Sequence, residues 1–243
     1  MTGRPPLTIN GWMRWALIEP LLDPRTESVL EIGVGQGALG SRLAERYRYV
    51  GLELDERALA VARSRFARAR RGALVHGDLD ALPPGERFDL IVATEVLEHY
   101  EDDIGALRLW RERLVPGGKL LLSVPAFPER FGPWDVKAGH YRRYERDGLV
   151  TTLHAAGFEP VAIRTYGFPL GNVLEAARNA VAKRHPAEES MSERTAASGR
   201  LLQPSALTGV LTASAGAVGG LLQRPFTRGR HGVGFVVLAR ADR

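Results

Sequence analysis

Glu31-Ile32-Gly33-Val34-Gly35-Gln36-Gly37 places three glycines at alternate positions behind an acidic residue. Glycine turns the backbone sharply and lets a ligand lie against it with no Cβ in the way. Two more carboxylates follow short apolar runs. Glu53 stands about twenty residues after Gly33, where an acidic side chain meets ribose hydroxyls in nucleotide-binding βαβ units. Asp78, in His76-Gly77-Asp78-Leu79, can take an adenine amino group while Leu79 packs on the ring. Farther along, His99 and His140 carry the side chain best suited to moving a proton near neutral pH. This chemistry suits a nucleoside-bearing ligand and a proton transfer beside it.

The elements that must hold these residues are legible as short apolar runs. Ser28 to Ile32 reads as a buried strand that runs into the glycine turn. Leu39, Leu43 and Tyr47, four apart, mark one helical face. Tyr49 to Glu53 reads as a second strand, and Asp55 suits the N-cap of a helix turning Leu59, Ala62 and Phe66 inward. Leu74 to His76, Phe88 to Ala93 and Lys119 to Val124 give three more strands. Ile104, Leu107, Trp110 and Leu114 share a helical face before the last of these, and Pro116-Gly117-Gly118 is expected to end that helix. Such alternation predicts a mostly parallel sheet with right-handed crossovers, binding its ligand beyond the carboxyl ends of the strands. Glu31, Glu53 and Asp78 all fall there.

Composition bounds the rest. The 243 residues are 44% hydrophobic and 25% charged, enough for one large α/β domain with an insertion. There is no cysteine, which excludes disulfides, thiolate metal ligation and cysteine nucleophiles. The net charge is +5, and of 33 basic residues only Lys119, Lys137 and Lys183 are lysines. The dense run Arg63 to Arg71 contains a single aromatic, Phe66, so no base-stacking platform for nucleic acid is expected. Met1 to Asn10 has one arginine and no apolar run of signal-peptide length, so a cytoplasmic location is expected.

Taken together, these stretches resemble the class I S-adenosylmethionine-dependent methyltransferases, in the broad group that modifies quinones and other small molecules. Val29 to Gly37 is similar to the family's first motif, including the acidic residue two before the first glycine. Phe88-Asp89-Leu90-Ile91-Val92 with Glu95-Val96-Leu97-Glu98-His99 resembles its fourth-strand motif, and Leu114 to Leu120 the turn before its fifth strand. His140-Tyr141-Arg142-Arg143-Tyr144 and Ala156-Gly157-Phe158 resemble its later helix and sixth strand. The likeness covers roughly residues 28–165. It implies a Rossmann-like, doubly wound sheet of seven mostly parallel strands with an antiparallel last strand. A dinucleotide-binding oxidoreductase, or a protein that binds the cofactor without catalysis, could use the same glycine turn; Gly33, Gly35 and Ala38 satisfy the looser dinucleotide pattern.

The resemblance also implies roles. Glu31 and the backbone of Gly33, Gly35 and Gly37 would hold the methionine part of S-adenosylmethionine, with S-adenosylhomocysteine as product. Glu53 would take the ribose, Asp78 and Leu79 the adenine, and the backbone of Thr94 and Glu95 would line the floor. The cofactor carries a sulfonium and no phosphate, so acidic groups around the turn fit it better than they fit a pyrophosphate. His99 and His140 are candidate general bases for a small-molecule acceptor, although either could be a structural histidine. Tyr141 and Tyr144 would line the acceptor pocket or fill the core; Trp12 and Trp15, on an N-terminal amphipathic stretch, would roof that pocket or simply pack. No metal ligands are expected, since Asp102 and Asp103 read as a helix cap. Thr94-Glu95-Val96-Leu97 stands where DNA amino methylases resemble one another in a proline-containing motif.

Domain organisation follows: an N-terminal helical cap over 1–27, a cofactor-binding core over 28–165, a helical insertion over 166–231, and a last strand over 232–243. Within the insertion Asn172 to Lys183 reads as a helix and His185 to Gln203 as a polar hinge. Ser205 to Leu222 carries no charge but has too many small residues for a transmembrane span. It reads first as a lid or homodimer helix, then as an interfacial membrane contact. Leu207, Val210, Leu211, Val218, Leu221 and Leu222 fall on one face, with Thr208, Thr212, Gly216 and Gly219 opposite.

Overall fold

The computed structural model describes residues 5–66, 72–184 and 209–242. Seven strands form one sheet: β1 (Ser28–Ile32), β2 (Arg48–Glu53), β3 (Gly72–His76), β4 (Phe88–Thr94), β5 (Leu114–Pro125), β6 (Phe158–Tyr166) and β7 (Gly234–Ala241). Their order is β3-β2-β1-β4-β5-β7-β6. The first five pair in parallel, whereas β7 slots between β5 and β6 antiparallel to both. All five residues of β1 are buried, as expected of a strand covered on both faces.

Eight helices accompany these strands among the described residues: α1 (Ile9–Ile18), α2 (Gly40–Leu43), α3 (Glu56–Phe66), α4 (Asp103–Glu112), α5 (Pro133–Ala138), α6 (Arg146–Ala155), α7 (Leu170–Arg184) and α8 (Gly209–Leu222). The expected caps form. The Asp55 carboxylate accepts from the Arg57 and Ala58 amides, and Asp102 accepts from Gly105 at 2.8 Å. Phe88, Trp110, Phe158 and Phe235 fill one face of the sheet, while Met13, Trp15, Tyr49 and Tyr166 fill the other.

Register decides what meets at the carboxyl edge. Ile32 lies beside Leu52 on one side and Ala93 on the other, and Glu53 pairs with His76. Gly33, Glu53, Gly77 and Thr94 therefore emerge side by side. Chain order reverses at β1, between β2 and β4, so the crevice opens where the two halves of the sheet diverge.

Two local expectations change. Helix α4 ends at Glu112, before Pro116-Gly117-Gly118, because Leu114 pairs with Phe88 and opens β5. A register shift between Phe88 and Leu90 absorbs that lead-in, and Leu114 stays buried on a strand instead of a helix. The helix marked by Leu39, Leu43 and Tyr47 shrinks to the four residues of α2.

Helix α8 packs on α1 through its small residues. Gly216 lies against Trp12, Gly219 against Met13 and Gly220 against Ala16. Its Val210, Leu211, Val218, Leu221 and Leu222 are exposed. No helix among the described residues is long and apolar enough to cross a membrane. The polar stretch His185 to Gln203, Leu207 and Thr208, and part of the run Arg63 to Arg71, lie outside the described residues.

Candidate functional site

Beyond the carboxyl edge lies a cavity of about 1370 Å³. That exceeds the ~300–1,000 Å³ of a usual small-molecule pocket and leaves room for two ligands side by side. Its walls run from the ends of β1, β2 and β3 across to α1, α5 and α7.

At the first end, Gly33, Gly35, Glu53, Asp78 and Leu79 all line the cavity. Gly33 has φ +74°, and a Cβ there would collide with Val96. Here the left-handed conformation and the tight approach both require glycine. The Gly35 amide donates to Glu53 Oε2 at 2.6 Å and the Asp55 amide to Oε1 at 2.8 Å, so the Glu53 carboxylate is fixed by its own turn. Asp78 Oδ1 accepts from the Asp80 amide at 3.0 Å and starts a short helical turn. Glu31 is buried and accepts a hydrogen bond from Tyr49 Oη at 2.5 Å. Burial pushes its carboxyl up to about 8, against the lowering effect of the Tyr49 hydroxyl and with a smaller push from the Glu53 charge. A buried acid facing a cavity in this state is arranged to receive a cation.

The second end is built on the loop after β4. Glu95 takes φ +57°, a left-handed conformation costly for a residue with a side chain. Its Oε1 accepts from Ser123 Oγ at 2.8 Å and pairs with Arg14 Nη1 at 2.8 Å. Burial alone would raise this carboxyl, yet the Arg14 charge and the Ser123 hydroxyl hold it below the usual carboxylate range. Glu98, three residues on, is wholly buried, and neither of its carboxylate oxygens has a hydrogen-bond partner among the described residues. Burial first, and the Glu95 charge second, hold it well above the ordinary range.

Around Glu98 stand two histidines whose rings meet edge-on at 4.8 Å. His99 Nδ1 faces the Gly139 carbonyl at 3.1 Å, and His140 Nδ1 faces Asp135 Oδ1 at 2.9 Å. Each ring therefore donates from Nδ1, which leaves Nε2 as the atom available to a ligand. Burial, then the neighbouring His140, lowers the His99 ring to about 4, so it is neutral at pH 7. Asp135 is held by Arg143, Arg143 by Glu175, and Glu175 by Arg130 at 2.6 Å. That chain locks the His140 ring through a carboxylate, an arrangement typical behind metal-bound imidazole.

One ligand atom from each of Glu98, His99 and His140 lies within 4.8 Å of the others. Opposite ligands of a single ion with bonds of ~2.0–2.6 Å stand ~4.0–5.2 Å apart. A buried carboxylate with no hydrogen-bond partner among the described residues, beside two imidazoles, can take a divalent cation. The sequence reading assigned no metal ligand and passed over Glu98, though its Glu95-Val96-Leu97-Glu98-His99 stretch was the available signal.

Other sequence-predicted residues separate. Thr94, Glu95, His99, His140 and Tyr141 line the cavity. Gly37 does not; at φ +79° it lies against Ala62 and Phe66 of α3. Tyr144 is buried in the core, its hydroxyl donating to Asp103 Oδ2 at 3.0 Å. Trp12 stacks with Arg42 and Trp15 with Arg46, both away from the cavity. The cavity is met instead by the polar face of α1, Asn10, Gly11 and Arg14, because the tryptophans take the faces toward α8 and the core. Trp134 and Arg178, absent from the sequence reading, complete the second end.

A family model described as a methyltransferase domain matches residues 13–163. An uncharacterized methyltransferase of Mycobacterium bovis is 35% identical over 123 residues, 50% of this chain and 62% of its own length. A ubiquinone biosynthesis O-methyltransferase of Dinoroseobacter shibae is 32% identical over 152 residues, 55% of this chain and 60% of its own. The chain thus spans less than two thirds of these curated relatives. A crystal structure of a putative methyltransferase from Bacillus halodurans superposes with a TM-score of 0.60 at 17% identity, covering 95% of this chain and 99% of that one, a likeness of fold alone.

Proposed function

The chain belongs to the methyltransferase-domain family, and on that footing we propose that it transfers a methyl group from S-adenosylmethionine to a hydroxyl of a small-molecule acceptor. One observation carries the reading: the glycine turn with Glu31 and Glu53, and the two histidines His99 and His140 with Glu98 buried beside them, meet at a single cavity that both histidines line. Glu31 suits the cationic methionine end of the cofactor, the Glu53 carboxylate the ribose, and Asp78 with Leu79 the adenine. The similarity to a ubiquinone biosynthesis O-methyltransferase favours an oxygen acceptor.

The cofactor supplies an electrophilic methyl group on a sulfonium. What remains for the protein is alignment and removal of one proton. Holding nucleophile and methyl in line contributes on the order of 7–11 kcal/mol. Glu98, His99 and His140 would hold a divalent cation, which would supply Lewis-acid activation of the acceptor hydroxyl and let its proton pass to solvent. Arg14 keeps Glu95 ionised behind that position, and the Asp135-Arg143-Glu175 chain fixes the ring of His140.

A second reading rests on the 2.9 Å contact between His140 and Asp135. In it, His140 itself accepts the hydroxyl proton, with Asp135 stabilising the imidazolium, and no ion takes part.

Mn²⁺ titration of the S-adenosylhomocysteine-loaded chain, followed by electron paramagnetic resonance, separates the two. The cation reading expects one tight ion per chain, lost in Glu98→Gln, and transfer abolished by EDTA. Absence of Mn²⁺ or Zn²⁺ binding with transfer surviving EDTA leaves the histidine-base reading. Binding of NAD in preference to S-adenosylhomocysteine would overturn the methyltransferase assignment itself.

A further inference from the structure

Among the described residues four arginines line the cavity, and three of them are committed. Arg14 pairs with Glu95, and Arg143 with Asp135 and Glu175. Arg113 donates to the Leu79 and Pro83 carbonyls. Arg178 differs. It stands on α7, has no ion pair among the described residues, and its buried Nε lacks a hydrogen-bond partner. The nearest acid on its own helix, Glu175, is saturated by Arg130 and Arg143. A buried guanidinium donor without an acceptor is costly, and it is retained where a ligand supplies the acceptor.

Position sharpens this. The Arg178 guanidinium carbon lies over the Trp134 ring, 5.2 Å from its centroid, a cation–π contact. The Trp134 amide is anchored in turn by Asn179 Oδ1 at 2.9 Å. Trp134 adjoins Asp135, the residue that fixes His140, and Arg178 acts electrostatically on Tyr166, whose hydroxyl donates to Glu95. This arginine, without an ion pair among the described residues, therefore belongs to the acceptor end. A guanidinium is planar and presents parallel N–H groups that match a carboxylate or a phosphate.

We infer that the acceptor of this enzyme carries an oxyanion, a carboxylate or phosphate group, and that Arg178 is the residue that selects it. The inference rests on the methyltransferase reading above. In it, Arg178 holds the anionic end of the acceptor while the hydroxyl reaches His99 and His140 on the cavity wall. The residue acts on specificity and does not touch the reacting atoms.

Tryptophan fluorescence of the S-adenosylhomocysteine-loaded chain supplies the test, because Trp134 lies under the guanidinium. Three probes of similar shape are titrated: 4-hydroxybenzoate, phenyl phosphate and the neutral 4-hydroxybenzamide. One or both anions should bind about 10- to 100-fold more tightly than the amide, the range for losing a charge-assisted hydrogen bond. Which anion wins separates a carboxylate from a phosphate acceptor. Arg178→Gln should erase the preference, Arg178→Lys should restore part of it, and affinity for S-adenosylhomocysteine should not move. Equal binding of amide and anions, anion binding unchanged in Arg178→Gln, or no saturable anion binding at all overturns the inference. Failure to bind S-adenosylhomocysteine would instead overturn the reading beneath it.

Discussion

His140 Nε2 lies 3.9 Å from Glu98 Oε1, and the same imidazole is held from behind by Asp135 at 2.9 Å. The ring is thus fixed between a carboxylate that accepts three further hydrogen bonds from Gly132 and Arg143 and one that accepts none among the described residues. Asp135→Asn should remove both the lock on the ring and the ionic partner of Arg143. Affinity for Mn²⁺ should fall about 10- to 100-fold, the usual cost of losing such a supporting partner. Unfolding free energy should fall by about 3–5 kcal/mol, because Arg143 is left half-paired in the interior. Urea unfolding and Mn²⁺ titration check the two parts, and an Asn variant unchanged in both would refute the lock.

In the proposed cofactor site, Glu31 should make cofactor binding pH-dependent. Its carboxyl is raised to about 8, so the free protein carries a proton there at pH 7. A cationic ligand favours the ionised form, so binding releases that proton. Dissociation constants for S-adenosylhomocysteine should fall as pH rises from 6 toward 8, approaching tenfold per unit, and level off above. Stability of the free protein runs the other way: with the folded value raised above 4.5, it is lost as pH climbs between 4.5 and about 8. Glu31→Gln should flatten both slopes. Calorimetry in buffers of different ionisation enthalpy measures the proton directly, and zero release at pH 7 would contradict the assignment.

Glu53→Ala should weaken S-adenosylhomocysteine by about 1.5–3 kcal/mol, the range for hydrogen bonds to a charged group. It also frees the amides of Gly35 and Asp55, which the carboxylate now holds at 2.6 and 2.8 Å. Faster hydrogen exchange at Gly35 should accompany the loss. Unchanged affinity would remove Glu53 from the ribose site.

Gly216→Leu tests the seat of α8. A Cβ at Gly216 would fall within contact distance of the Trp12 Cβ, an atom next to the backbone that cannot swing aside. Overpacking of this kind costs about 1–3 kcal/mol. Thermal unfolding should show that loss while S-adenosylhomocysteine affinity holds, since only Thr212 of α8 reaches the cavity wall. A silent variant would mean that α8 moves freely over α1.

Residues close in sequence carried the first half of the site. The strand Ser28–Ile32, the turn behind Glu31 and the caps at Asp55 and Asp102 are set by interactions spanning a few residues, and the chain displays those as pattern. Parallel pairing then aligns Glu53 and Gly77 with little further choice, because the apolar runs fix the register.

The other half was decided only by tertiary packing. Which face of α1 meets the cavity is not a matter of periodicity: Trp12 and Trp15 are its most conspicuous residues, yet α8 and the core claim them and leave Asn10 and Arg14 on the cavity wall. Glu98 reads locally as one more acid in a loop. It becomes a candidate ligand because α5 brings Gly139 and His140 over His99, forty-odd residues later in the chain. Arg178 stands out only once Glu175 is seen to be occupied by Arg130 and Arg143. Sequence determined which groups were present and which were neighbours along a strand or turn. The fold determined which charges were already neutralised, and so which remain to bind a ligand, because pairing of buried charges depends on distances that no local pattern encodes.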